Sequence, residues 1–362
     1  MHKIRDYVIL IIVFILILAV VYYLMDYAML IFNASIAILM FFLIGKSLYH
    51  FGPKKYTRKM KKVKPSEEAE RIYKELRSVY GYEFIKLRIV NCICLFSGIL
   101  IWVELFIARE RKILEEYMVN IVLVLTYVII RVVLRNQERL SKLYKEKILP
   151  DFIRLFPSGT AEYYQGKEYT TYETYRIDDA YRASGFNSED YIDVDVMEGV
   201  KYSNEDTNIE IGNIWVSDKR QKRQDVIFSG LFAHANSTKS INYFIKISKN
   251  RLNKKKDKID MDSSDFEEIF DIYSENKIYA MRILTSDVMM LLWDFYQKYE
   301  LKFEVILSGN KIYLRFYTGN IFDVKLFGNS MNKKNLFIYY SIMDFVAELT
   351  KSINNALEDI EL

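Results

Sequence analysis

The sequence has few of the residues that build disulfide, metal and nucleophilic sites. Among 362 residues there are two cysteines and three histidines. Cys92 and Cys94 lie in one apolar stretch, so they cannot form a disulfide framework or a zinc cluster, and we interpret them as small apolar residues. His2, His50 and His234 are far apart in the chain, so a metal or acid–base site made from them would need long-range convergence.

Glycine-based catalytic and phosphate-binding motifs are also missing. Gly166 and Lys167 lack the preceding glycine of a phosphate-binding loop, and no Gly-x-Ser-x-Gly sequence occurs. His234 is the only histidine of the C-terminal region and could act as a base, but a lone histidine in a strand is more typical of a structural residue. We therefore expect a protein without a cofactor that is not an enzyme.

One acidic cluster has a spacing similar to that of a calcium-binding loop. Asp260, Asp262 and Ser264 follow the one-three-five pattern of a calcium loop, but Asp265 stands where that loop needs glycine. Ser264 followed three residues later by Glu267 instead predicts a capping box at the start of a helix. We expect no metal site here.

Long uncharged runs dominate the first third of the chain. The runs from Tyr7 to Leu24 and from Tyr27 to Gly45 carry no charge and are each about as long as a helix that crosses a bilayer. They predict a first transmembrane hairpin within 1–45. Two further runs, Ile89 to Ala108 and Tyr117 to Leu134, predict a second hairpin within 89–134.

Two charges interrupt the second hairpin. Glu104 and Arg131 each lie near the end of a run, where a long side chain can reach the interface at a smaller cost than at mid-bilayer. These two residues are the expected intramembrane polar positions.

The distribution of basic residues predicts the orientation. The loop at 46–88 holds 13 Lys or Arg and 5 Glu, so the excess positive charge belongs to this loop and not to a nucleic-acid-binding surface. By the positive-inside rule the loop and both termini lie in the cytoplasm. The first run is longer than a signal-peptide core and a second follows at once, so we expect a retained anchor.

The same loop contains a lysine cluster without acids. It serves as a topology determinant, and contact with anionic lipid headgroups is the alternative function. After it, Ser66 predicts the N-cap of a helix with an apolar stripe that could lie on the membrane, on the soluble domain or on another subunit. The expected lipid contacts are Lys54, Lys55, Arg58, Lys59, Lys61, Lys62 and Lys64.

The remainder predicts a stalk helix at 135–157, ending at Pro150, and a cytoplasmic domain at 158–362. Its pattern is that of the α+β class, with mostly antiparallel strands and helices packed on one face. Residues 157–182 show no clean period and are interpreted as irregular. Strands are predicted at Ile209 to Val216, Val226 to Ala235, Tyr243 to Ser248, Tyr279 to Leu284 and Ile321 to Phe327, a hairpin at Lys302 to Tyr317 turning at Ser308 to Lys311, and helices at Val288 to Tyr299 and Ile342 to Leu357.

Two segments of this domain resemble a known family. The run from Asp265 through Phe266, Glu267 and Phe270 to Thr285, preceded by Phe228-Ser-Gly-Leu-Phe232, is similar to the bacterial family called domain of unknown function 3137. The resemblance covers roughly Leu140 to Leu357. Its pattern is mainly aromatic and aliphatic, so it implies a fold and supplies no catalytic or ligand-binding residue.

These observations predict a multi-pass protein of the bacterial inner membrane. Its cytoplasmic domain is expected to act as a binding, scaffold or regulatory module, with the lipid bilayer and either a protein partner or a second copy as its partners, and no nucleic acid. The alternative is a subunit of a transporter or channel, in which Asn91, Glu104, Asn120 and Arg131 line a polar path. A membrane-tethered enzyme is the third hypothesis.

Overall fold

The structure, a computed structural model, describes most of the chain from residue 66 onward. The expected first transmembrane hairpin at 1–45 and the lysine cluster lie outside the described residues. Those residues are 66–110, 116–155, 159–165, 172–187, 192–204, 207–218, 226–249, 258–261, 263–322, 324, 331 and 333–360.

Two compact units share the chain. The helical unit includes Gly81–Leu143, and the α+β unit includes Tyr144–Asp323, Met331–Leu362 and the segment up to Tyr80. The α+β unit has an antiparallel sheet with packed helices, which confirms the predicted fold class.

The described helices are numbered in chain order. They are α1 (Glu67–Glu110), α2 (Glu116–Leu143), α3 (Leu149–Arg154), α4 (Tyr172–Ala183), α5 (Ser264–Ile269), α6 (Lys277–Ile283), α7 (Ser286–Tyr299) and α8 (Lys333–Ile360). The described strands are β1 (Thr160–Gln165), β2 (Ile192–Ser203), β3 (Asn208–Asp218), β4 (Val226–Ser248), β5 (Lys258–Ile259), β6 (Asp271–Ser274) and β7 (Phe303–Phe316).

Helix α1 begins at the predicted cap. The Ser66 hydroxyl accepts a hydrogen bond from the Ala69 backbone N–H at 3.2 Å. The sequence analysis predicted this helix and the transmembrane run at 89–108 as separate elements. The structure instead has one continuous helix of 44 residues. Lys86 and Arg88 precede the apolar run and mark its boundary in the sequence. Both residues favour helix, so the helix continues through them.

One described helix is long and apolar enough to cross a membrane, namely the Glu67–Glu104 part of α1. The second predicted hairpin is therefore supported at one of its two helices. The run at 117–134 lies in α2, but side chains at 105–121 and 123 are outside the described residues.

The stalk does not end at Pro150. Helix α2 runs to Leu143 and is followed by a π-helical turn at Tyr144–Ile148, after which Pro150 occupies the first turn of α3. Proline is tolerated there because its missing N–H would have no helical partner in a first turn. A π turn directly before it changes the helical hydrogen-bonding pattern without ending the helix.

The antiparallel sheet follows the order β1-β2-β3-β4-β6-β5, with β7 also pairing with β4. Strand β4 has 23 residues and pairs with β7 between Leu231 and Ser248. The sequence analysis divided β4 into two strands and folded β7 into a hairpin, and both predictions are wrong. Register irregularities at Asn236/Ile241 and Ile241/Ile245 let β4 change course without ending, and Gly309, with φ +57°, bends the partner strand.

Helices cover both faces of the sheet rather than one. Tyr181 of α4 makes an edge contact with Phe232 of β4 at 5.1 Å between ring centroids, and Phe345 of α8 contacts Phe316 of β7 at 6.1 Å. Arg315, next to Phe316, hydrogen-bonds to Tyr181. Because neighbouring strand residues point to opposite faces, α4 and α8 lie on opposite sides.

Local caps explain several boundaries. Thr285 caps α7, as predicted, through a 3.5 Å bond from the Val288 N–H. The predicted strand at Tyr279 is instead α6, because Asn276 accepts the Tyr279 N–H at 3.0 Å and starts a helix. Helix α5 is capped by Ser263, one residue before the predicted Ser264.

Two further predictions are corrected by the structure. The segment interpreted as irregular contains β1 and α4, and neither could be recognised from period because both are short and rich in Tyr, Thr and Glu. The predicted strand from Ile321 begins with bends at 321–322, and most of the rest lies outside the described residues.

Candidate functional site

The helical unit presents an apolar exterior. Ile93, Phe96, Val124 and Tyr127 are each 59–63% exposed, and most of the large side chains around them are also exposed and apolar. Soluble proteins rarely expose contiguous apolar surface of this extent. The surface of α1 and α2 is therefore suited to hydrocarbon.

Polar groups lie inside the same unit. Asn91, Thr126 and Asn136 are buried, and the Trp102 indole N–H donates a hydrogen bond to the Thr126 hydroxyl at 3.0 Å. The contact lies near the α1–α2 connection, so the two helices run antiparallel there. An apolar exterior with hydrogen-bonded polar residues between helices is the arrangement found in membrane helix pairs.

The predicted intramembrane charges lie on the outside. Glu104 and Arg131 are both exposed, and the Arg131 guanidinium lies 5.8 Å from the centroid of the Tyr127 ring. Within the described residues no ion pair joins Glu104 to Arg131. The side chain of Asn120 and the predicted lipid-binding lysines, from Lys54 to Lys64, lie outside the described residues.

The first turns of α1 pack within the α+β unit. Glu70 forms an ion pair with Lys333 of α8 at 2.8 Å, and Tyr73 makes an edge contact with Phe337. Tyr80 donates a 2.5 Å hydrogen bond to Asp151 of α3. Of the three locations left open by the sequence, the structure places this apolar stripe on the domain.

A buried charged cluster lies under α4. Both the Nε and Nη2 groups of Arg315 donate to one oxygen of Glu304, at 3.0 and 2.7 Å, and Tyr317 donates to the other oxygen at 3.0 Å. Arg315 Nη1 contacts the hydroxyl of Tyr181 at 3.2 Å and the amide oxygen of Asn187 at 3.4 Å. We call these five residues the Arg315 cluster.

The cluster is closed to water and internally paired. Glu304 and Arg315 are 3% and 7% exposed. Burial raises the pKa of Tyr317 well above its usual range, so its hydroxyl stays protonated and donates to Glu304. Burial likewise lowers the pKa of Lys302, whose ammonium lies 4.1 Å from the Tyr317 ring centroid. The arrangement fixes α4 to β7 and contains no unpaired nucleophile.

His234 belongs to a second buried group on the same face. Its Nε2 lies 3.2 Å from Glu210, and its Nδ1 lies 3.4 Å from the Lys311 ammonium. Tyr164 donates to the other Glu210 oxygen at 2.8 Å. The Nε2 atom therefore faces a carboxylate, which can only accept, and the Nδ1 atom faces an ammonium, which can only donate.

A third polar group connects the π turn to the sheet. Lys145 forms an ion pair with Glu198, which lies at a register irregularity of β2 and is 2% exposed. Asn213 donates to Glu198 at 3.1 Å and to Asn320 at 2.8 Å. The pair holds the start of the α+β unit against its sheet.

Sequence reasoning missed these three groups. The available signal was a charged residue at an inward position of an apolar strand, as for Glu210, Glu304 and Arg315, but the partners come from distant strands. Among the described residues, no group of three or more His, Cys, Asp and Glu side chains could hold a metal ion. Asp262 of the supposed calcium loop is outside that set.

The glycine of the Phe-Ser-Gly-Leu-Phe segment has a steric role. A Cβ at Gly230 would lie 2.1 Å from the Phe316 carbonyl oxygen, so only glycine lets β4 approach β7 so closely. Phe228 and Phe232 flank Tyr181 at 6.0 and 5.1 Å. The segment therefore builds the contact between the sheet and α4.

This segment lies inside a region that matches a known family. Residues 226–355 match the family described as "Protein of unknown function (DUF3137)". The match identifies this segment of the chain as similar to DUF3137. The match runs from β4 into α8 and confirms the predicted resemblance over that segment.

The chain is also distantly similar to a solved structure. The crystal structure of the mycobacterial trehalose monomycolate transport factor A, TtfA, is similar at a TM-score of 0.30 and 10% identity, over 62% of this chain and 95% of that chain. None of the curated proteins matches the chain.

Proposed function

We propose that this protein is a multi-pass protein of the bacterial inner membrane whose cytoplasmic α+β domain is a binding, scaffold or regulatory module. Its N- and C-termini lie in the cytoplasm. The two uncharged runs within 1–45 and the positive charge of 46–88 support the number of spans and the orientation.

The observation that carries the proposal is the continuity of α1. Its first turns pack in the α+β unit through Glu70 and Tyr73, and the same helix continues into the apolar exterior of the helical unit. The helix thus contributes residues to the α+β unit and to the candidate membrane span. Such a shared helix suits a module that works at the membrane surface.

Cysteine labelling tests the topology. In a background with Cys92→Ala and Cys94→Ala, single cysteines replace Lys112, in the α1–α2 connection, and Asn355, on exposed α8 surface. With a membrane-impermeant maleimide on intact spheroplasts, we expect labelling at 112 and protection at 355 until the membrane is permeabilised. Labelling at 355 in intact cells contradicts the proposed orientation, and protection at 112 contradicts the second hairpin.

Co-purification tests the binding role. A C-terminal tag on the full chain, gentle solubilisation of native membranes and mass spectrometry against an untagged control should give a stoichiometric protein partner or a homo-oligomer. A monomer that carries only lipid contradicts the module proposal. Glu304→Gln is the matched control, because it should destabilise the α+β domain by breaking its buried ion pair while leaving the sequence of the membrane helices unchanged.

A subunit of a transporter or channel is the second candidate. Asn91 is fully buried within the helical unit, and a buried amide in a membrane helix commonly marks a polar path. Loss of transport in Glu104→Gln or Arg131→Gln with normal membrane levels would favour this candidate. Unchanged behaviour in both variants would favour a simple anchor.

We further propose that the domain is not an enzyme and that His234 is structural. Both ring nitrogens have charged neighbours, Glu210 and Lys311, and the ring is 4% exposed, which supports a role in packing. His234→Ala should lower thermal stability. Turnover of a metabolite by the purified chain that disappears in His234→Ala at unchanged stability would overturn this assignment.

A further inference from the structure

Two amide side chains of the helical unit have unused hydrogen-bonding capacity. Asn91 of α1 is 0% exposed, and among the described residues neither its Oδ1 nor its Nδ2 has a hydrogen-bond partner. Gln137 of α2 donates from Nε2 to the Val324 carbonyl oxygen at 2.5 Å, while its buried Oε1 has no partner in the same described set.

The helix register places these amides at one level. The Trp102–Thr126 hydrogen bond fixes the antiparallel pair, Asn91 lies eleven residues before Trp102, and Gln137 lies eleven residues after Thr126. At 1.5 Å per residue both positions are about 16 Å from that bond, in the same direction along the pair. The two side chains therefore belong to one layer.

An unpaired buried amide is costly. Each group left without a partner costs about 1–3 kcal/mol in a protein interior. A molecule bound in this layer must donate hydrogen bonds to the side-chain oxygens of Asn91 and Gln137 and accept one from the Asn91 amide nitrogen. Water has two donors and two acceptors, and buried waters typically make about three hydrogen bonds.

A metal cation fits less well. Calcium and magnesium need about six or more oxygen ligands, and the layer offers two free amide oxygens. Arg88, one helical turn from Asn91, adds positive charge, with its guanidinium 4.6 Å from the Phe84 ring centroid. An uncharged hydrogen-bonding guest is therefore favoured.

We propose that Asn91 and Gln137 together form a binding site for an ordered water between α1 and α2. This inference rests on the proposed membrane location of the two helices. It identifies a hydrated layer between the two helices, on the side of the pair that leads towards the cytoplasmic ends of both spans.

A double-mutant cycle tests the site in the full chain, purified in nanodiscs. Asn91→Leu and Gln137→Met replace each amide by an apolar side chain of similar shape. Each single variant should lower Tm by about 2–6 °C, because it removes the water and leaves the other amide unpaired. The Tm of the double variant should fall by clearly less than the sum of the two single-variant shifts, because no amide is left without a partner.

Thr126→Val is the matched control. It removes a direct hydrogen bond to Trp102, so it should lower Tm. This shift in Tm should add to the shift caused by Asn91→Leu. Asn91→Leu that raises Tm, or a cycle with Gln137→Met that is additive, overturns the shared site.

A cryo-EM map of the wild-type chain separates a water from a direct amide contact. Density 2.7–3.2 Å from both Asn91 Oδ1 and Gln137 Oε1 supports the proposal, and a direct bond between the two side chains overturns it. The labelling experiment at position 112 reports on the spans alone, so failure of the membrane location and failure of the water site give different results.

Discussion

Removing the charge of Glu304 should strongly destabilise the α+β unit. Glu304→Gln keeps the shape of the side chain but leaves the Arg315 guanidinium, which is 7% exposed, without its counter-ion. The two short bonds from Arg315 to one carboxylate oxygen lose their charge assistance. The remaining partners of the guanidinium, Tyr181 and Asn187, are neutral.

The expected cost follows from the burial. Breaking a buried ion pair by removing one partner costs about 3–5 kcal/mol, because the surviving charge remains out of water. For a unit of this size that corresponds to a fall in Tm of roughly 8–15 °C. Replacing the pair by apolar residues of similar volume avoids this cost, so Glu304→Leu combined with Arg315→Met should recover most of the loss.

Thermal unfolding of the full chain in nanodiscs, followed by tryptophan fluorescence, measures these shifts. Glu275→Gln, on exposed surface, is the matched control and should change the free energy of unfolding by less than about 0.5 kcal/mol. A Glu304→Gln variant that melts within 2 °C of wild type, at about the precision of such a measurement, would refute the reasoning. So would a double variant that melts lower than the single one.

Three further predictions concern stability. Gly230→Ala should cost roughly 2–4 kcal/mol, because its Cβ would meet the Phe316 carbonyl oxygen at 2.1 Å; a smaller loss in denaturant unfolding contradicts the close approach. Lys145→Met should cost about 3 kcal/mol by leaving Glu198 buried and unpaired, and adding Glu198→Gln should restore part of it; additivity in the same assay contradicts the pairing. Burial raises the pKa of Tyr339 in the folded protein above the value of about 10 that it has in the unfolded chain. The folded protein therefore becomes less stable as the pH rises above about 10, where the unfolded chain loses this proton first. Tyr339→Phe should therefore stabilise the protein by about 1 kcal/mol at pH 7 and flatten its loss of stability between about pH 9 and pH 11; an unchanged pH profile contradicts this.

Local chemistry made part of the fold predictable. Ser66 and Thr285 cap helices where the sequence placed caps, and the long helix ending near Leu357 follows its apolar stripe. Strand β3 was also predicted, because a regular run of apolar residues at alternating positions is a local property. These elements need no information from distant residues.

Other elements depended on distant partners. Residues 308–311 form a good turn sequence, yet β7 stays extended because the long strand β4 pairs with both of its halves. Residues 279–284 have strand propensity, but a single cap at Asn276 gives a helix. In each case a tertiary or capping hydrogen bond outweighed a weak local preference.

The features of the polar sites are likewise either local properties of the sequence or contacts between distant residues. The sequence by itself determined that the common cysteine, histidine and glycine-loop motifs are missing, that the apolar runs suit a bilayer, and that one segment resembles DUF3137. Only the tertiary structure decided that Glu304 meets Arg315, that Glu210 meets His234, and that Asn91 and Gln137 lie at one level. The reason is physical: composition and periodicity are local, whereas the partner of a buried charge or amide is fixed by strand order and helix register.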